Sequence, residues 1–173
     1  GAALTAGSIT VESGSIALGT ASNADDVSTL SSTGKLDIKG GTISVDNGSA
    51  AGITAASIDF AGELTNSGTL TMNGAVAAKD GSAVVNDGTI TIADGFTAES
   101  GSTVTNNNDA AKVITFKGQT TFKAGSKITN SGAMVIAGTA NFELDDKDLT
   151  KALEVGGDNA ALKVVSGGTA NMS

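Results

Sequence analysis

Three carboxylates, Asp145, Asp146 and Asp148, crowd the stretch ELDDKDLT and are the strongest metal-ligating candidates in the chain. A hard cation such as calcium collects carboxylate oxygens from a short loop, so calcium is the one cofactor the sequence leaves room for. Solvated acidic loops are the commoner use of such residues. Gly156-Gly157-Asp158 resembles part of a calcium-binding nonapeptide, but it does not recur at nine residues. Catalysis has less to work with. Histidine, cysteine and arginine are all missing. A serine or threonine nucleophile needs an activating base, and none stands out. Asp37, Asp59, Asp80, Asp87 and Asp94 are the candidates for the paired carboxylates of glycoside hydrolysis. The repeat described below assigns them to different corners or outward strands, with no pair evident. We therefore expect no enzyme.

Composition narrows the partners. The chain of 173 residues carries a net charge of -8, and its basic residues are scattered lysines. Nucleic acid needs a basic face, so it is not expected as a partner. No apolar run is long enough to span a bilayer, and neither membrane insertion nor a secretory leader is expected. Aromatic residues make up 3% of the chain, all of them phenylalanine, and there are 24 glycines. Such a sequence suits a thin core with closely spaced walls better than a wide one.

The elements that position these residues come from a repeat. NSGTLT at 66–71 returns as NDGTIT at 86–91, and the fuller phrases are LTNSGTL at 64–70, VVNDGTI at 84–90 and ITNSGAM at 128–134. LSSTGKL at 30–36 has the same form. Within each unit the apolar residues alternate, which means strand. One inward pair is Ile9/Val11, Leu36/Ile38, Leu70/Met72, Ile90/Ile92, Ile114/Phe116, Met134/Ile136 and Leu162/Val164. A second is Ile16/Leu18, Ile43/Val45, Val76/Ala78, Phe96/Ala98, Thr120/Phe122, Ala140/Phe142 and Ala170/Met172, with one ring per storey on that wall. A third contact precedes the asparagine phrase at Leu30, Leu64, Val84, Val104 and Ile128.

Three short strands per unit predict a triangular coil: a single all-β domain over 1–173, a parallel β-helix of about seven turns and on the order of 30 Å tall. One coil cannot bury its inward face alone, so each must lie on the one before. Asn66, Asn86, Asn106 and Asn130 recur at one corner, where their amides should stack as a ladder. Insertions are expected near 19–29, 46–63, 106–111 and 143–155. The first, second and fourth should leave from one corner and decorate one edge. The last should hold a short helix near 145–154, with acidic residues at its start and Leu149 and Leu153 on one face.

Phrases such as NSGTLTMNG, NDGTITIADG and TNSGAMVIAG resemble those of bacterial surface β-solenoids, the autotransporter passengers and filamentous-haemagglutinin-like adhesins. A filament or surface-layer subunit is similar in composition. The resemblance implies an extracellular location on the bacterial cell surface and a structural or adhesive role. Polysaccharide lyases and hydrolases share the fold, but they rely on arginine or on clustered aspartates with histidine.

The start, LTAGSI, looks like part of a coil whose other strands are missing, and GGTANMS at the end looks like another. Neither carries a cap. Either one molecule completes the last coil of another, or the sequence is a piece of a longer one. The preferred expectation is a head-to-tail homopolymer in which Leu4, Thr5 and Ile9 of one copy meet Ala170 and Met172 of the next. The alternative is an adhesin segment displaying loops to host or cell-surface glycans. An ice-binding face ranks lower, because the outward pairs Thr69/Thr71 and Thr89/Thr91 give way to Val113/Thr115 and Ala133/Val135.

Overall fold

Alternating apolar and small polar residues, broken every few positions by glycine, asparagine or aspartate, can form only short extended segments. A computed structural model describes residues 2–19, 27–107, 109, 111–143 and 153–173. Those residues form strands and no helix, and their pairings are all parallel. The expected helix near 145–154 falls mostly outside the described residues, and Leu153–Val155 is a strand.

The fold is a parallel β-solenoid with three walls. Leu70, Ile90, Ile114, Met134 and Leu162 stand in one inward column of the first wall. Val76, Phe96, Thr120, Ala140 and Ala170 form a column of the second. Leu64, Val84, Val104, Ile128 and Leu153 form one of the third. Ala50–Phe60 and Thr69–Ala78 run unbroken round the corner between the first two walls, which joins these into one 14-stranded sheet; the third wall is a separate 7-stranded sheet. Seven strands on that wall are separated by six stacking steps, so the coil makes about six full turns.

The early register differs from the expectation. Leu36/Ile38 stacks with Ile58/Phe60 and Val76/Ala78 on the second wall, not with Leu70/Met72. Ile16/Leu18 and Ile43/Val45 stack beneath Leu64 and Asn66 on the third wall. Leu30 lies under Ile53 on the first. One error underlies all three. Residues 46–63 do not form an excursion, because Ala51, Ile53, Ile58 and Phe60 are buried and complete an ordinary storey. LSSTGKL therefore turns a different corner from LTNSGTL. The remaining insertions do not share an edge either. The chain leaves the third wall after Leu18 and after Asn106, but it leaves the second after Phe142.

Inside, the column residues are nearly all inaccessible: Leu36, Leu70 and Met134 are 0% exposed. One ring per storey holds for the second wall, yet Phe116 of the first reaches Phe122 of the second in the same storey. Their rings meet edge-on at 5.6 Å, and Phe122 stacks on Phe142 at 4.8 Å. Thr120 and Ala140, small neighbours in the adjoining column, leave room for both.

Between the second and third walls the chain turns on Gly81, Gly101 and Gly125, at φ 75, 78 and 81. The following serine N–H donates back three residues, from Ser82 to Lys79 O at 3.0 Å and from Ser126 to Lys123 O at 3.0 Å. This is a turn that needs positive φ at its third residue, which glycine adopts without strain.

Because the interior is close-packed, Ile90→Ala should cost about 2–5 kcal/mol, whereas Thr91→Ala on the outer face of the same strand should stay within about 0.5 kcal/mol. Urea unfolding followed by far-ultraviolet circular dichroism measures both.

Candidate functional site

Within the described residues the outermost strands pair on one side only: Ala3–Ala6, Ile9–Val11 and Ser15–Leu18 at one end, Leu153–Val155, Ala161–Val164 and Thr169–Met172 at the other. Inward column residues there have a storey on one side and solvent on the other. Leu4 is 54% exposed, Val164 47% and Met172 56%, and Val155 is exposed too. The other exposed large aliphatics among the described residues are Val27 in the second storey and Val165 at the far corner. Among the described residues Val27 is therefore the one exposed large aliphatic outside the terminal storeys. Leu18 is an exception at its end, since it is buried despite its terminal position.

The structure brings Asn66, Asn86, Asn106 and Asn130 together, all 0% exposed, at the end of the third wall. Each Nδ2 donates to the Oδ1 one storey on: Asn66 to Asn86, Asn86 to Asn106 and Asn106 to Asn130, all at 2.8 Å. The same Nδ2 groups also donate to the turn carbonyls, Asn66 to Gly68 O at 3.1 Å and Asn86 to Gly88 O at 2.9 Å. Gly88 is glycine because a Cβ there would collide with the carbonyl oxygen of Gly68 in the storey below. The repeated Asn-x-Gly is thus one device: an amide that ties storeys and a residue that lets backbone approach backbone. Val45 and Val155 close the column at its two ends. These asparagines are sealed from solvent, and their chemistry is structural.

The outer face of the second wall carries charge. Asp37 and Asp59 lie side by side on neighbouring strands, correcting the expectation that no aspartates pair. Lys35 bridges them, 3.4 Å from Asp37 and 2.8 Å from Asp59, and Lys79 lies 3.6 Å from Asp59. Burial alone would raise the Asp59 carboxyl, but the Lys35 hydrogen bond and the Lys79 charge outweigh it and hold the group below its ordinary value. The hydrogen bond to Asp59 in turn holds Lys35 above its own. A general acid needs the opposite shift, a carboxyl pushed up so that it keeps its proton. This cluster is arranged as a salt ladder. Along the adjoining corner Glu12 pairs with Lys39 at 2.8 Å and Glu99 with Lys123 at 2.6 Å.

The calcium candidates Asp145, Asp146 and Asp148 lie outside the described residues. Among those described, no group of three or more acidic side chains is placed to hold a metal ion, and no helix is long and apolar enough to cross a membrane. Of the expected contact residues, Leu4 and Thr5 lie on the first wall, but Ile9, Ala170 and Met172 lie on the second. Leu4 therefore shares a column with Val164, a residue absent from the expected contact set. The shifted early register hid that match. No protein-family model, curated protein or solved structure matches this chain.

Asn86→Val leaves Asn106 Oδ1 without its donor, while Asn66 Nδ2 keeps Gly68 O and Thr89 O, so it should cost about 1–3 kcal/mol. Replacing all four asparagines by valine should cost less than four times the single change, measured by urea unfolding. Acid should also act through Asp59. Its folded pKa is depressed, so its contribution is present above the unfolded value of about 3.9 and disappears as pH falls through the lower folded value. Asp59→Asn should flatten that part of the decline in melting temperature below about pH 4.

Proposed function

We propose that this protein is a non-enzymatic structural subunit of an extracellular bacterial assembly, a rigid rod that polymerises head to tail through its terminal storeys. One observation carries the reading: the exposed inward-column aliphatics of the first two walls, Leu4 at one end and Val164 and Met172 at the other, sit where strand edges are also unpaired. Unpaired edges recruit further strands, and each aliphatic covered contributes about 1.5–3 kcal/mol before ordering costs. A contact between unlike ends does not close on itself, so it propagates as a filament. The Asn/Gly/Thr phrasing that resembles secreted bacterial solenoids supports the extracellular setting. The alternative, an adhesin displaying loops along one edge, has less support because the insertion after Phe142 leaves from a different corner from those after Leu18 and Asn106.

Deleting residues 1–8 removes the strand Ala3–Ala6 and leaves the later storeys intact. The truncated protein should keep its strand-type circular dichroism and show separate short rods in negative stain, where the full chain shows fibres. Fibres of undiminished length from the truncated protein would overturn the assembly reading.

A further inference from the structure

Resting on that head-to-tail reading, we propose a specific junction: the first and second walls of one copy continue into those of a second copy with Val164 under Leu4, Ala170 under Ile9 and Met172 under Val11. The register follows from the columns. On the first wall Leu4, Leu30, Ile53, Met72, Ile92, Phe116, Ile136 and Val164 are successive partners without a slip. On the second the same walk runs from Ile9 to Ala170 and from Val11 to Met172. One further stacking step of the kind repeated throughout the rod brings the far end of one copy against the near end of the next.

Several features make a second copy the fitting occupant. The residues left most exposed, Leu4 and Met172 at 54% and 56%, come from opposite ends and from different walls. Each therefore gains a cover only when both walls engage. Sizes alternate at the junction as they do inside: Met172 meets the smaller Val11, and the small Ala170 meets Ile9. Among the outward side chains of the two walls no like charges face each other. Outward, Lys163 falls beside Ala3 and Asn171 beside Thr10, and at the corner Ser173 falls beside Glu12, which Lys39 already neutralises. Asn171 Nδ2 donates to Asn141 Oδ1 at 2.9 Å on the same outer column, so Thr10 adds a hydroxyl to an existing polar row. The third wall does not join the junction: it has seven strands against eight on each of the other two, so Leu153–Val155 of one copy and Ser15–Leu18 of the next lie two stacking steps apart and do not pair.

The chain contains no cysteine, which makes cross-linking a clean test. In the double variant T10C/N171C the two positions lie on facing strands about 4.8 Å apart across the junction, within the span a disulfide bridges. Within one molecule they are separated by the height of the rod. Mild oxidation of the full-length variant should give a ladder of covalent multimers on non-reducing gels, lost on reduction. The control T10C/T169C, displaced by two residues on the same face, should give at least tenfold less. Fibres of the unaltered protein together with cross-linking of the control pair alone, or of neither pair, would overturn this register while leaving head-to-tail assembly standing. Absence of both fibres and multimers would overturn the register and the assembly reading together.

Discussion

A carboxamide sealed inside a narrow aliphatic column must bond to something, because leaving it unpaired costs more than a net hydrogen bond returns. In this chain Asn66, Asn86 and Asn106 each donate to the identical group in the next storey. Asn130 ends the row on Ala161 O, and Asn66 Oδ1 at the other end has no partner among the described residues. The four-residue ladder therefore does more than fill space. Strand side chains alternate with period two, so a slip of one residue on the third wall would turn Asn86 outward and leave Asn106 Oδ1 without its donor. The glycine two positions after Asn66, Asn86 and Asn130 is part of the same constraint, since a Cβ at Gly88 would collide with Gly68 O in the storey below. Aliphatic columns alone would tolerate a slip of two residues, which keeps them facing inward.

Reading the sequence recovered the three-walled coil wherever this device is present. Between Leu64 and Asn130 the inward columns follow from spacing alone, and even the four extra residues between Asn106 and Asn130 leave the phrase recognisable. Before residue 64 the device is missing: Val45 and Leu18 stand where asparagine stands later. Without that anchor, LSSTGKL and LTNSGTL look equivalent although they turn different corners. The storey at 46–63 was hardest to see, because Ala51 and Ala55 are weak markers of an inward face and Ala50–Phe60 runs round a corner without the usual glycine break. The Gly-Ser turns at 81–82, 101–102 and 125–126 were a second periodic signal that confirms the register independently.

Candidate chemistry was less legible for a related reason. Asp37 and Asp59 are separated by a storey whose boundaries were misplaced, so their adjacency could not be read from spacing. Once stacked, they are claimed by Lys35 and Lys79. Along the flanks the described side chains are mostly small, hydroxyl-bearing or charged, and apart from Val27 the exposed large aliphatics sit in the terminal storeys.

The ladder hydrogen bonds all run from storey to storey, parallel to the long dimension of the rod, while the covalent chain winds across it. A tensile load applied between the extremities would therefore be borne by non-covalent bonds arranged in series, one storey at a time. Each peel would release its coil before the next was stressed. Compression or lateral shear would instead be shared by many storeys at once. Such a body is stiff as a strut and weak as a rope.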